Sequence, residues 1–256
     1  MGARRVVVTR PAREAERWTA DLQARSIDAV ALPLIAIEPL QDTRALDAAR
    51  QGAAQFDALM FVSAAAVAHF FASGDVVAGD RTRSWAPGPG TAAALLAAGV
   101  RPEAIDSPPP ASAQFDSEHL WALVRAQAGP GKRVLVVRGG DAAGQPAGRP
   151  WLAREVEAAG AALDEVAAYR RVRPTWDAAQ RALAASAAVD GAIWLFTSGE
   201  AVRHLTELLP HAQWHGARAL ATHPRIAQAA RNANFGVVQT SQPGLAALVA
   251  SIESIA

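Results

Sequence analysis

The feature that most constrains the fold of this chain is an internal repeat. The segment "FVSAAAV" (Phe61–Val67) is matched by "FTSGEAV" (Phe196–Val202), about half of the 256-residue chain further on. At the same separation, Pro89 is matched by Pro224. Around Ser63 and Ser198 an apolar run gives way to a small polar residue and then to a helix-forming stretch, which is the pattern of a strand that turns into a helix. The sequence therefore predicts two diverged copies of one α/β unit, too few for a solenoid.

Short apolar runs alternate with helical patterns along the whole chain. Residues Arg4–Arg10 predict a buried strand, Ala12–Arg25 an amphipathic helix and Asp28–Pro33 another strand. This alternation is typical of parallel sheets flanked by helices. A Gly/Pro-rich segment at Gly139–Pro150, where the spacing between the copies changes, predicts a loop. Because ligands gather at the carboxyl ends of strands in open α/β sheets, we expect two α/β lobes to form a binding cleft.

Composition excludes several classes of function. The chain has no cysteine, which excludes thiolate nucleophiles and cysteine-based metal sites. Its net charge of +1 argues against a nucleic-acid-binding surface. No apolar run approaches the ~18 residues of a membrane span, and no signal-peptide pattern follows Met1. We therefore expect a soluble cytoplasmic protein that binds neither nucleic acid nor a membrane.

The glycine-rich segment "APGPGTAAALLAAG" is only a partial phosphate-binding pattern. Ala93 stands where a dinucleotide fingerprint has its third glycine, and the chain has no P-loop lysine motif, which argues against a nucleotide-dependent enzyme. One interpretation is structural: Gly88 and Gly90 shape a tight turn, and Thr91 caps the following helix. The other is that the N-terminus of this helix receives an anion.

Ser63 and Ser198 are candidate nucleophiles or helix caps. Neither lies in a G-x-S-x-G elbow, so capping is favoured, and either serine could still contribute its hydroxyl and amide to an anion site. His223 stands where Gly88 stands in the other copy. His211 and His215 are four residues apart but lack the glutamate of a zinc-protease motif, so we expect a surface segment and no metal site.

Three other residue types are chemically informative. Arg10 and Arg138 end equivalent strands, where a guanidinium could bind a carboxylate or form a local ion pair. Lys132, the only lysine, lies at the amino end of its strand, away from the expected cleft, which disfavours Schiff-base chemistry. Tyr169, the only tyrosine, offers a neutral phenol that can donate a proton; the alternative is a half-buried aromatic residue on an edge strand.

The motifs occur in an order that resembles one family. They are "VVVTRP", "LPLIAIEPL", "FDALMFVSAAAV", "GPGTAAALLAAG", "FDSEHL", "VLVVRGG", "AYRRV" and "WLFTSGEAV", and over essentially its whole length the chain resembles uroporphyrinogen-III synthases. The resemblance implies two similar α/β lobes with parallel sheets flanked by helices, joined by a two-stranded antiparallel connector at Leu32–Pro39 and Val166–Pro174. One lobe would contain residues 1–35 and 173–256, and the other residues 36–172.

The resemblance also implies an activity. The family converts hydroxymethylbilane (preuroporphyrinogen) into uroporphyrinogen III in haem biosynthesis, inverting ring D through a spiro intermediate and losing water, without a cofactor or metal. The resemblance further suggests a monomer that contacts the preceding deaminase transiently. The family's proposed acid falls on Tyr169, and the turns at Ser63, at Gly88, Gly90 and Thr91, and at Thr197, Ser198 and Gly199 would bind the substrate's acidic side chains.

This chain departs from the family pattern at the Ser63 turn and at the turn that repeats Gly88–Thr91 in the second copy. Ala65 replaces an asparagine that is common after the first serine, and His223 and Arg225 replace small polar residues. These changes affect side-chain roles more than an amide-based site, since any non-proline residue carries a backbone N–H. The alternative function from the sequence is a non-catalytic two-lobed binding protein for an anionic small molecule.

Overall fold

The computed structural model describes residues 4–74, 76, 78–109, 117–148 and 150–255, so the first two residues of the "FDSEHL" motif lie outside the described residues. The strands are β1 Val6–Val8, β2 Ala29–Ala31, β3 Ala36–Glu38, β4 Ala58–Phe61, β5 Arg83–Trp85, β6 Ile105–Asp106, β7 Arg133–Gly140, β8 Ala162–Val172, β9 Ile193–Phe196, β10 Arg218–Ala221 and β11 Val237–Thr240. The α-helices are α1 Ala12–Gln23, α2 Arg44–Gln51, α3 Ala64–Phe70, α4 Pro89–Ala97, α5 Ser117–Val124, α6 Trp151–Ala158, α7 Ala178–Ala187, α8 Gly199–Leu208, α9 Pro224–Asn232 and α10 Leu245–Ile255.

The chain divides into two compact units. The first unit combines residues up to 36 with those from 172 onwards, and the second contains residues 37–171. The first has a five-stranded sheet in the order β11-β10-β9-β1-β2, and its neighbouring strands are parallel. The second sheet has the order β3-β8-β7-β4-β5-β6 and is parallel from β8 to β6. The predicted α/β fold with parallel sheets is confirmed. The two segments expected to form the connector contain β3 and most of β8, which are neighbours in the second sheet.

The second unit buries both faces of its sheet. Side chains alternate along β4, so Phe61 packs on one face against Phe70 of α3, and Met60 packs on the other against Leu120 of α5. Burying each such side chain contributes about 1.5–3 kcal/mol. Helices therefore cover both faces, as a parallel sheet requires.

The first unit is organised in the same way. On one face, Val8 of β1 packs with Leu22 of α1 and Leu248 of α10. On the other, Trp194 of β9 meets Trp214 edge to face, with the ring centroids 5.4 Å apart. A sheet that is packed on both faces holds the carboxyl ends of its strands in fixed positions.

In each unit, two neighbouring strands lead directly into helices at the same edge of the sheet. In the second unit β4 leads into α3 and β5 into α4, and in the first β9 leads into α8 and β10 into α9. Because neighbouring strands are about 4.8 Å apart, the two helix N-termini of each unit lie side by side. The strand–turn–helix prediction from the repeat is confirmed within each unit.

The Gly/Pro-rich segment differs from its prediction at its start. Gly139 and Gly140 belong to β7, because both pair with β8. The chain then folds back, so that Gly140 bridges Pro146 and the amide of Ala147 donates to the Gly139 carbonyl at 3.1 Å. The expected loop therefore begins at Asp141 and is held against the end of β7.

Asp57, just before β4, should contribute pH-dependent stability. Its carboxylate accepts from Lys132 Nζ at 2.8 Å and from the amide of Arg133 at 2.9 Å. These hydrogen bonds, that to Lys132 above all, hold the pKa of Asp57 below its ordinary value. A lowered folded-state pKa stabilises the fold above the unfolded pKa, and that contribution is lost as the pH falls through the folded pKa.

We therefore expect Asp57→Asn to lower the free energy of unfolding modestly near neutral pH, by at most about 1 kcal/mol because the pair is exposed. The difference from the parent should close as the pH falls below the ordinary carboxyl value of about 4. Urea unfolding of both proteins over this pH range measures it. A difference that stays constant in acid would contradict the ion-pair explanation.

Candidate active site

The N-terminus of α3 is capped by Ser63. Its backbone is extended (φ −162°, ψ 161°), and its Oγ accepts from the amide of Ala66 at 3.2 Å. Helix geometry leaves the N–H groups of Ala64 and Ala65 without acceptors inside the helix. The capping interpretation of Ser63 is confirmed, and two amides remain to meet an anion.

The neighbouring helix α4 is capped by Gly88, not by Thr91. Gly88 is extended (φ −171°, ψ 173°) and Pro89 is the first helical residue, which leaves Thr91 as a buried third residue inside the helix. The expectation that Thr91 caps this helix is therefore wrong, because a proline is favourable at the first helical position and moves the cap to the residue before it. A β-carbon on Gly90 would meet no atom within 4 Å, so this turn has open space beside it.

The first unit repeats the same pair of turns. After Thr197, Ser198 caps α8 and its Oγ accepts from the amide of Glu200 at 3.1 Å. His223 caps α9, and its Nδ1 accepts from the amide of Arg225 at 3.1 Å. Since Pro224 follows His223 as Pro89 follows Gly88, the predicted equivalence of His223 and Gly88 is confirmed. Gly199 begins α8, and a β-carbon there would also meet open space.

Tyr169 is buried on β8, only 5% exposed. The alternative of a half-buried residue on an edge strand is wrong, since β8 lies between β3 and β7. A bulge explains the direction of the side chain. Arg138 pairs with Ala167 but the next residue, Gly139, pairs with Tyr169, so Ala168 is the extra residue. Strict alternation would put Ala168 and Tyr169 on opposite faces, yet both lie in the cluster beneath α3.

The phenol of Tyr169 lies against Ser63, His69 and Gly139 of the second unit. Its hydroxyl lies 3.3 Å from Ser63 Oγ, where either oxygen can donate. The ring centroid lies 5.3 Å from that of His69 on α3. The backbone of Gly139 lies against the ring, since a β-carbon there would be 2.7 Å from two ring carbons. One serine thus joins the phenol to a helix N-terminus.

Both candidate arginines make local ion pairs. Arg10 Nη1 lies 2.8 Å from Glu14 Oε2, and its guanidinium carbon is 4.3 Å from the Trp18 ring centroid. Arg138 Nη1 lies 3.0 Å from Glu165 Oε1. Arg138 also points to the opposite face from the neighbouring Gly139, and so away from Tyr169. A substrate carboxylate would compete with these partners, and a binding role for either arginine stays a prediction.

The remaining candidates lie elsewhere. Lys132 pairs with Asp57 just before β7, at the amino end of the strand as the sequence predicts. His211 and His215 are exposed in the segment between α8 and β10. Within the described ranges, no group of three or more His, Asp or Glu side chains is arranged to hold a metal ion. None of the helices in the described part of the chain has the length and apolar character that a membrane crossing requires.

The family model of uroporphyrinogen-III synthase HemD matches residues 16–250. The chain belongs to the uroporphyrinogen-III synthase family. Members of the uroporphyrinogen-III synthase family are cyclising lyases of haem biosynthesis that need no cofactor. No curated protein sequence matches the chain.

Two crystal structures of uroporphyrinogen III synthases share the fold. One is a mutant enzyme from the extremely thermophilic bacterium Thermus thermophilus, 19% identical, with a TM-score of 0.56 over 99% of this chain and 98% of that one. The other is the enzyme from Helicobacter pylori, 13% identical, with a TM-score of 0.57 over 99% of this chain and 100% of that one. At such low identity, the likeness shows that the architecture is kept while most side chains differ.

Sequence reasoning misses two neighbours of Tyr169 in this member of the uroporphyrinogen-III synthase family. The sequence indicates an ordinary helix residue at His69 and a loop residue at Gly139. The contact of Gly139 with the ring depends on the bulge at Ala168, and nothing in the period-two pattern of β8 signals a bulge. The consecutive small residues Ala167 and Ala168 before the tyrosine are the only local hint.

Proposed function

We propose that this chain closes hydroxymethylbilane to uroporphyrinogen III with Tyr169 as the general acid. The observation that carries the proposal is the position of the only tyrosine, buried and 3.3 Å from the serine that caps α3. A buried phenol beside helix amides can give a proton to a substrate whose carboxylates those amides hold. General acid catalysis of this kind contributes about 10²–10⁴-fold.

The reaction takes up one proton and releases one proton. The phenol protonates the hydroxyl of the bilane, the C–O bond breaks, and water leaves with the electron pair of that bond. The carbocation-like methylene on ring A is then attacked by the substituted carbon of ring D, which gives the spiro intermediate. Rearrangement and closure of the macrocycle release one proton, which balances the one that the phenol gave.

The substrate's eight carboxylates would be bound chiefly by backbone amides. Each unit offers two adjacent helix N-termini, whose partial positive charge and unsatisfied N–H groups suit carboxylates. This matches a chain with a net charge of only +1. The proposed binding residues are Arg10, Ser63, Gly88, Gly90, Thr91, Arg138, Thr197, Ser198, Gly199 and His223.

The isomer of the product distinguishes catalysed from uncatalysed closure. Hydroxymethylbilane closes on its own to the isomer with ring D uninverted, so the main task of the enzyme is to control which carbon of ring D reacts. We expect the purified chain, supplied with hydroxymethylbilane, to yield uroporphyrin III after oxidation. The measurement is chromatographic separation of the isomers. A product that is entirely isomer I would overturn the proposal and leave an anion-binding protein.

The same proposal describes a cytoplasmic monomer that receives its substrate from the preceding deaminase. The transfer from the deaminase is supported by the instability of the bilane, since a short transit lowers spontaneous closure to the wrong isomer. We expect a single species of about 26.7 kDa in sedimentation and no stable complex with the deaminase. A stable dimer at micromolar concentration would contradict the monomer.

A further inference from the structure

The position of the Tyr169 hydroxyl depends on a residue that has no side chain. A β-carbon on Gly139 would lie 2.7 Å from ring carbons Cε2 and Cζ of Tyr169 and 2.8 Å from its hydroxyl oxygen. Contacts this short do not occur, so any larger residue at position 139 must displace the ring or the strand. The backbone of Gly139 does not adopt a positive φ, so the requirement for glycine here is space alone.

The bulge in β8 creates this contact. It pairs Gly139 with Tyr169 and turns the phenol to the face of α3. Bulges commonly re-aim a side chain beside an active site. The ring is then bounded by the Gly139 backbone and by His69, whose ring centroid lies 5.3 Å away.

Ser63 can determine which way the phenolic proton points. A hydroxyl has one proton and two lone pairs, and Ser63 Oγ already accepts from the amide of Ala66. This leaves Ser63 with one further lone pair and with its own proton, which it can donate to the Tyr169 oxygen 3.3 Å away. A phenol that accepts from Ser63 keeps its own proton for another acceptor.

We propose that Gly139 and Ser63 are positioning residues for the Tyr169 hydroxyl, Gly139 by leaving space for the ring and Ser63 by donating a hydrogen bond to its oxygen. This inference rests on the proposed role of Tyr169 as the acid. It differs from that role because it concerns where the hydroxyl lies, which can be measured without turnover.

The single tyrosine makes the position of the phenol directly observable. Protein labelled with ¹³Cζ-tyrosine gives one side-chain resonance, since Tyr169 is the only tyrosine. We expect Gly139→Ala to shift this resonance and to lower kcat at least about tenfold. The matched control is Gly129→Ala in the same unit, where a β-carbon would meet only the Ala159 carbonyl at 4.0 Å, and which should change neither quantity.

A double-mutant cycle separates positioning from general damage. If Gly139 acts through the phenolic hydroxyl, Gly139→Ala should cost little further activity, at most about threefold, once Tyr169→Phe has removed that hydroxyl. An equal loss in both backgrounds, or an unmoved tyrosine resonance, would overturn the positioning role. Full activity of Tyr169→Phe would instead overturn the proposed acid, so the two failures are separate results.

A second pair of variants keeps the inference testable if Gly139→Ala does not fold. Ser63→Ala and Ser198→Ala each remove a helix cap, and Ser63 is the serine whose Oγ lies 3.3 Å from the phenol oxygen. Ser63→Ala should shift the tyrosine resonance, and Ser198→Ala should leave it in place. A resonance that stays in place in both variants would overturn the inference.

Discussion

Tyr169→Phe is expected to lower kcat by between about tenfold and a thousandfold. The substitution keeps the ring between Gly139 and His69 and removes only the oxygen that lies beside Ser63. A general acid contributes about 10²–10⁴-fold, and solvent can replace part of that contribution. An assay in which the deaminase generates hydroxymethylbilane, followed by separation of the oxidised isomers, measures the rate. As isomer III falls, isomer I should rise, because the uncatalysed closure then competes.

The control for this variant is Thr82→Val, a loss of a buried hydroxyl in the same unit. Thr82 Oγ1 donates to the Phe56 carbonyl at 2.9 Å, just before β5 and so at the opposite edge of the sheet from Ser63. Its removal should cost about 1 kcal/mol of stability and leave kcat unchanged. A rate for Tyr169→Phe within twofold of the parent would remove the phenol from the mechanism.

Ala64→Pro is expected to weaken substrate binding by about ten- to a hundredfold. Ala64 is the first residue of α3, where proline is tolerated, and Ser63 before it is already extended as a residue preceding proline must be. The substitution therefore removes one backbone N–H while the helix remains. A hydrogen bond to a charged group is worth about 1.5–3 kcal/mol, and about 1.4 kcal/mol corresponds to tenfold.

The values of KM and kcat for Ala64→Pro show whether the lost N–H served binding or catalysis. Removal of an interaction that is equal in the ground and transition states raises KM and leaves kcat unchanged. The matched control is Ala178→Pro, at the first position of α7, where Asp177 is likewise extended and its capping box does not use the Ala178 amide. The amide hypothesis fails if both variants have the parent's KM.

The helix starts are predictable because their signals are local. Ser63 and Ser198 follow apolar strands directly, and a serine at that point satisfies an amide within the next three residues. The prediction of Thr91 as the cap of α4 is wrong because it follows only the preference of hydroxyl side chains for caps. Pro89 is the stronger signal, since its ring fits the first helical position.

The contacts of the active site cannot be predicted to the same extent. Tyr169 and Ser63 are 106 residues apart, and their meeting depends on strand order and on the bulge in β8. The partner of Arg10 can be predicted, since Glu14 lies only four residues further on, in the first turn of α1. The partner of Arg138, Glu165, lies on a neighbouring strand, and its distance in sequence gives no sign of the contact.

Whether backbone amides at helix N-termini bind the carboxylates of the substrate is tested most directly by an amide NMR titration. The ¹⁵N-labelled protein is titrated with uroporphyrin III, the oxidised product. If helix N-termini bind the carboxylates, the amide resonances of Ala64, Gly90 and Gly199 should shift and saturate together, while that of Ala178 at the start of α7 stays in place. Saturable binding that leaves the first three amides unmoved would contradict the claim, because the carboxylates would then be held by side chains.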